Sequence, residues 1–180
     1  MPQNRRSYEK TRRIALSGLL FALAMALSFI EGTLTIPGLL PGMKLGLANI
    51  VVMYALVFLR GRTALMLVLL KALFSFLTRG ATAGFLSLCG GLLSFLVLWL
   101  MLHAPFSVTG YIFSACGALA HNLGQLLGAA LLLSSRLALG CAPALMVAGL
   151  AVGAVTALLS RTLFPMLGRI TGRQNGKIKF

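Results

Sequence analysis

The fold is decided by stretches such as residues 83–103, AGFLSLCGGLLSFLVLWLMLH, which contain no aspartate, glutamate, lysine or arginine. A transmembrane helix needs about 20 predominantly apolar residues to cross a hydrocarbon core of about 30 Å. Five more apolar segments lie on either side of this stretch in the sequence. The predicted spans are therefore about 14–30, 44–59, 63–79, 83–103, 108–133 and 142–163. The sequence therefore predicts an all-α membrane protein, a bundle of six transmembrane helices.

Composition supports this class. Apolar residues make up 59% of the 180 residues and charged residues 10%, whereas globular domains average about 45–50% and about 25%. We expect a basic N-terminal segment at 1–13, the transmembrane domain at 14–165 and a basic C-terminal tail at 166–180. Neither a soluble domain nor a cleavable signal peptide is predicted, because the first apolar run is longer than a signal-peptide core.

The basic residues predict the orientation in the membrane, since cytoplasmic flanks carry an excess of lysine and arginine. Twelve of the 16 basic residues fall on one side of a six-span arrangement: Arg5, Arg6, Lys10, Arg12, Arg13, Arg60, Arg62, Arg161, Arg169, Arg173, Lys177 and Lys179. We therefore expect a plasma-membrane protein with both termini in the cytoplasm. Topology accounts for the net charge of +14, so membrane lipid is the expected partner and nucleic acid is not.

Carboxylates are scarce, since the chain contains only Glu9 and Glu31. Such a chain cannot build a cation cluster or a pair of carboxylates for acid and base catalysis. One imidazole without a neighbouring cysteine, aspartate or second histidine does not make a coordination set. We therefore expect no metal, no cofactor and no catalytic residues.

The connection after the first span, residues 31–49, contains two Pro-Gly pairs within an apolar sequence. Pro-Gly pairs force turns, and irregular backbone at membrane depth persists only where protein buries it or where it lines a cavity. This connection is either a lid over a pocket on the outer face or an ordinary extracellular connector. The spacing alone favours neither.

Three polar residues in the fifth span share a helical face, because His121 lies four positions and Asn122 three positions before Gln125. Intramembrane polar side chains either bridge helices or contact a ligand. Three together, beside small glycines, favour the wall of a polar pocket.

Lys71 lies within the third span, where an intramembrane cation indicates a functional site. In one interpretation Glu31 pairs with Lys71 or with Arg79. In the other, Lys44, Lys71 and Arg79 together attract an anionic ligand, and the charge count favours this second interpretation.

Small residues recur every four positions in the first span, at Gly18, Ala22 and Ala26. Such a stripe lets another helix approach closely. It serves either packing within the bundle or docking of a second membrane protein.

Three motifs, PGMKLGLAN at 41–49, SLCGGLLS at 87–94 and AHNLGQ at 120–125, resemble the Gx transporter family. Its members are commonly labelled heptaprenyl diphosphate synthase component I, and the resemblance covers about 14–165. The family is related to the S components of energy-coupling-factor (ECF) vitamin transporters. The resemblance implies six helices, a ligand pocket closed by the first loop, and docking of a T subunit on the small-residue stripe. This sequence departs from the family pattern at two positions: it has lysine at 71 where arginine is expected, and glycine at 18 where alanine is usual.

The two family labels imply different activities, and the sequence excludes one of them. Prenyl synthases hold magnesium with aspartate-rich clusters, but this chain has no aspartate, and no phosphate-binding loop for ATP either. We predict a non-enzymatic substrate-binding subunit of an ECF-like uptake transporter for a small organic molecule, with a T subunit and ATPases as partners. The alternative is a non-catalytic membrane component that associates with a soluble prenyl synthase subunit. The predicted substrate-binding residues are Glu31, Lys44, Asn49, Lys71, Arg79, His121, Asn122 and Gln125.

Overall fold

The computed structural model describes residues 3–33, 43–105, 107–132, 135–171 and 178–179. Within these ranges the chain forms six helices and two very short strands. They are α1 Gln3–Thr33, α2 Asn49–Phe58, α3 Gly61–Arg79, α4 Ala81–His103, β1 Val108–Thr109, α5 Gly110–Leu132, α6 Ser135–Thr171 and β2 Ile178–Lys179.

The predicted all-α membrane bundle of six helices is confirmed, with one difference in the second helix. Among the described residues, five helices are long and apolar enough to cross a membrane. Helix α2 has only 10 residues, so it is about 15 Å long and too short to cross alone. The first part of the predicted span 44–59 is irregular chain instead, and the Asn49 N–H at the start of α2 donates to the Gly46 carbonyl in the preceding turn.

Helices α1 and α3 run in the same direction, because their C-terminal ends lie side by side. The Lys44 ammonium donates to the hydroxyl oxygens of both Ser28 on α1 and Ser75 on α3. A Cβ added at Gly32 would lie 3.3 Å from Cδ of Arg79. The chain between α1 and α3 must therefore return across the bundle. The segment 43–48 and α2 together complete that second crossing.

Helix α2 lies inside the bundle. Nine of its residues are buried, and it contacts α1, α3, α4, α5 and α6. A helix that is apolar on all sides is stable only when it is surrounded, and the sequence NIVVMYALVF at 49–58 has that character. The long helices instead expose Leu19, Leu77, Leu131 and Leu158, as expected for surfaces that face lipid.

Two further features position the chain ends. Helix α1 begins at Gln3 and α6 ends at Thr171, so both helices continue beyond the predicted spans 14–30 and 142–163. Strand β1 pairs in parallel with β2, with Val108 opposite Ile178. This pairing brings the end of the chain to the connection between α4 and α5. The division into segments 1–13, 14–165 and 166–180 stays a prediction.

Candidate functional site

Lys44 lies in the irregular segment 43–48 and is buried, with 5% of its surface exposed. Its Nζ donates to Ser28 Oγ at 2.5 Å and to Ser75 Oγ at 2.7 Å. The positive charges of Arg79 and Lys71 repel this ammonium, whereas the carboxylate of Glu31 attracts it. Two hydroxyl groups therefore hold the Lys44 ammonium between α1 and α3, within a group of charges of both signs.

The backbone of Lys44 is fixed by the side-chain amide of Gln125 on α5. The Lys44 N–H donates to Gln125 Oε1 at 2.8 Å, and Gln125 Nε2 donates to the Lys44 carbonyl at 2.8 Å. The amide thus satisfies both backbone polar groups of one residue, as a neighbouring strand would. Buried backbone groups need such partners, so Gln125 lets irregular chain persist at this depth.

Glu31, near the end of α1, lies beside the turn that leads into α2. Its Oε1 accepts a hydrogen bond from the Leu47 N–H, and the Ala48 N–H also contributes to this interaction. A carboxylate at a helix N-terminus is stabilised by the helix dipole and by unpaired amide groups. Lys71 and Lys44 attract the same carboxylate. Glu31 therefore holds the end of the segment 43–48 against α1.

His121 is enclosed between two glycines. A Cβ added at Gly46 would lie 2.8 Å from His121 Cδ2, and one at Gly90 would lie 2.9 Å from Nδ1. Gly46 also has φ of +94°, a conformation that favours glycine. The imidazole is buried with 2% exposure, so it fills the space between the segment 43–48 and α4.

Lys71, Ser75 and Arg79 form one stripe along α3, because they are four residues apart. Lys71 is 2% exposed and Ser75 is fully buried. The Arg79 side chain lies against Gly32, and its buried Nη1 has no partner among the residues described. The stripe brings two cations to the same region as Lys44 and Glu31.

Asn49 and Asn122 contact different helices. Asn49 Nδ2 donates to Ser94 Oγ at 2.5 Å, and Ser94 Oγ donates to the Gly117 carbonyl at 2.8 Å. Asn122 Nδ2 donates to the Leu145 carbonyl at 2.5 Å. Asn122 thus points toward α6, whereas Gln125 points toward the segment 43–48. Both asparagines bridge helices, and a contact of either with substrate stays a prediction.

Three serines of these networks were not among the sequence predictions: Ser28, Ser75 and Ser94. Two of them could have been recognised from their distance along the sequence to a charged residue. Ser28 precedes Glu31 by three positions, and Ser75 lies midway between Lys71 and Arg79. A polar residue at helical spacing from an intramembrane charge shares its face, so these two positions were recognisable.

The predicted docking stripe lies on an open face of α1. Gly18, Ala22 and Ala26 are exposed, and within the described ranges a Cβ at Gly18 would meet nothing within 4 Å. Packing inside the bundle therefore does not explain this stripe. Among the same described residues, no group of three histidines, cysteines or carboxylates could hold a metal ion.

The family model described as heptaprenyl diphosphate synthase component I matches residues 20–163. This range includes the whole cluster of Glu31, Lys44, Lys71, Arg79 and Gln125. No curated protein and no solved structure gives a significant match to the chain.

Proposed function

The chain belongs to the heptaprenyl diphosphate synthase component I family, and on that basis we propose that it is an integral membrane substrate-binding subunit for a small organic anion. The observation that carries the proposal is the charge balance of the cluster. Lys44 and Lys71 attract one carboxylate, Glu31, and Arg79 adds a third cation that acts on Lys44. That carboxylate already accepts from the turn before α2.

Unbalanced buried charge is costly, because removal from water costs several kcal/mol per ion even after the protein relaxes. One acid cannot compensate three cations, and the hydroxyls of Ser28 and Ser75 solvate only one of them. A bound anion would supply the missing negative charge. The anion would accept hydrogen bonds from the Lys44 ammonium and from Nη1 of Arg79, which has no partner in the described chain.

The segment 43–48 is suited to hold such a ligand because side chains rather than a continuous helix fix it. Gln125 binds its backbone at Lys44, and Glu31 binds it at Leu47. The preceding residues 34–42, which complete the predicted lid, lie outside the described residues. In this proposal the ligand enters from the outer face of the plasma membrane, both termini are cytoplasmic, and closure of the loop at 31–44 retains it.

Transport in this proposal needs an energy source from other subunits, since the sequence has no phosphate-binding loop for ATP. The exposed stripe at Gly18, Ala22 and Ala26 is the proposed docking surface for a T subunit, which in turn recruits the ATPases. Small side chains allow the close helix approach that drives association in lipid.

The test is retention of a small molecule by the protein purified from its own membrane, measured by native mass spectrometry. We expect a retained anion, and we expect its affinity to fall in His121→Ala/Gln125→Ala. The matched control is Ser114→Ala/Cys116→Ala, which alters the same helix about 10 Å away toward its other end. Unchanged retention in the His121/Gln125 variant, or equal loss in the control, contradicts the proposal.

The family description itself favours a second candidate, a non-catalytic membrane partner of a soluble prenyl synthase. This chain has no aspartate with which to hold magnesium on a diphosphate, so the partner would supply the catalytic site. Affinity purification from the native membrane separates the two candidates. Recovery of ATPases with a T subunit supports transport, and recovery of an aspartate-rich prenyl synthase supports the second candidate.

A further inference from the structure

A second site lies at the opposite end of α2 from the cation cluster. A groove of about 410 Å³ opens between the start of α3 and the last turns of α4, lined by Arg60, Gly61, Arg62, Leu65, Phe95 and Trp99. Its volume falls within the usual range of ligand pockets, about 300 to 1,000 Å³. Helix α2 separates it from Lys44 by about 15 Å, so it is independent of the site described above.

The mouth of the groove is positively charged. Arg60 and Arg62 are both exposed, and no acidic side chain is among the residues that line the groove in the described chain. Guanidinium groups bind phosphate oxygens through two parallel hydrogen bonds. Two arginines two positions apart therefore suit a phosphate.

The floor of the groove is apolar and runs along α3 and α4, two helices long and apolar enough to cross a membrane. Leu65 lies four residues into α3, and Trp99 and Phe95 lie four and eight residues before the end of α4. At 1.5 Å per residue these positions are about 6 to 12 Å along the spanning helices from their ends. An occupant must therefore carry an anionic head and an apolar chain.

Trp99 is held in place at this groove by His103. The two ring centroids are 4.2 Å apart, and His103 Nδ1 lies 2.8 Å from the Trp99 carbonyl oxygen. The indole is 38% exposed. A fixed, partly exposed aromatic ring gives a chain a preformed surface to lie against.

We propose that this groove binds one anionic phospholipid, with its phosphate on Arg60 and Arg62 and an acyl chain along Leu65, Phe95 and Trp99. The charged mouth, the apolar floor and the course of the floor along two spanning helices together favour a lipid over a soluble anion or an acidic protein segment.

Trp99 provides a direct test, because it is the chain's single tryptophan. The full-length protein is placed in phosphatidylcholine nanodiscs, and Trp99 fluorescence is measured as brominated phosphatidylglycerol or brominated phosphatidylcholine is added. Each surface arginine contributes about fivefold to anionic-lipid binding, so we expect roughly 30-fold selectivity for the brominated phosphatidylglycerol. Arg60→Gln/Arg62→Gln should remove it, and Arg60→Lys/Arg62→Lys should retain part of it.

The control is Arg12→Gln/Arg136→Gln, which removes two other exposed arginines and should leave the selectivity within about twofold. Equal quenching by the two brominated lipids overturns the proposal. So does equal loss in the control variant, because the selectivity would then come from overall surface charge. Displacement of the lipid by millimolar inorganic phosphate or glycerol 3-phosphate also overturns it, since the site would then be one for a soluble anion.

Discussion

Gly46→Ala should destabilise the protein for two separable reasons. Gly46 has φ of +94°, and in left-handed backbone a Cβ costs about 1 to 2 kcal/mol. The same Cβ would lie 2.8 Å from Cδ2 of the His121 ring. The ring cannot move away freely, because Gly90 of α4 lies against its other side. Overpacking of this kind costs about 1 to 3 kcal/mol more.

Gly80→Ala, at the turn between α3 and α4, is a comparison variant that lacks the contact. Gly80 has φ of +89°, but in the described structure an added Cβ there meets nothing within 4 Å. With ψ of 177°, Gly80 lies in a region that is essentially restricted to glycine, so Gly80→Ala carries a backbone cost of its own and no contact cost. The contact part of the Gly46→Ala loss should be about 1 to 3 kcal/mol of unfolding free energy, which for a chain of this size corresponds to roughly 2 to 12 °C in melting temperature.

The assay is thermal unfolding in detergent of wild type, both glycine variants, His121→Ala, and Gly46→Ala/His121→Ala. Removal of the ring should recover the contact part of the Gly46→Ala loss, so the double-mutant cycle should show coupling of about 1 kcal/mol or more. Gly90→Ala should not be rescued in this way, because its Cβ would also lie 2.8 Å from the His121 carbonyl oxygen. Additive behaviour in the cycle would refute the reasoning.

Three further predictions concern the segment 43–48 and the open face of α1. Gln125→Ala removes two hydrogen bonds from the Lys44 backbone, so hydrogen exchange of the Lys44 amide should accelerate roughly 30-fold. The control Asn122→Ala should leave this exchange rate unchanged. Equal protection of the Lys44 amide in both variants would contradict the role of Gln125 in holding the Lys44 backbone. Ser75→Ala removes an acceptor from the Lys44 ammonium, so the unfolding free energy in detergent should fall by about 1.5 to 3 kcal/mol. Ser114→Ala is the control, because the buried hydroxyl of Ser114 has no partner within the described ranges. Equal losses of unfolding free energy in the two serine variants would show that Ser75 does not stabilise the Lys44 ammonium. Ala22→Leu should abolish recovery of a T subunit while leaving the melting temperature unchanged; undiminished recovery would exclude this stripe as the docking surface.

The sequence predicted most of the fold because lipid imposes a simple rule. Each long apolar segment must satisfy its backbone hydrogen bonds internally, so 83–103 could be assigned as a helix without its neighbours, and α4 spans Ala81–His103. The same rule could not show that the second predicted span, 44–59, divides into irregular chain and a short helix. Its apolar residues suit either a spanning helix or a short helix buried by protein, and only the surrounding helices distinguish these.

The polar residues of the site were predictable by type, but their partners were not. Glu31 was the single acid expected on the outer side, and pairing with Lys71 or Arg79 was the simple interpretation. Its Oε1 accepts from the Leu47 N–H, because the turn at Gly46 directs amide groups toward the end of α1, and Lys71 and Lys44 also attract the carboxylate. Asn122 and Gln125 were expected on one face, yet they donate to the carbonyls of Leu145 and Lys44. Nearby positions on a helix surrounded on several sides reach different neighbours.

The sequence by itself determined that this chain lies in a membrane, that its charge is strongly asymmetric, and that it contains no aspartate. These conclusions depend on how many residues of each type occur and how they are spaced. The tertiary structure decided that 43–48 enters the bundle and that Gln125, Ser28 and Ser75 hold Lys44 there. Contacts between residues 16 to 81 positions apart depend on helix packing. The composition of a single segment carries no information about them.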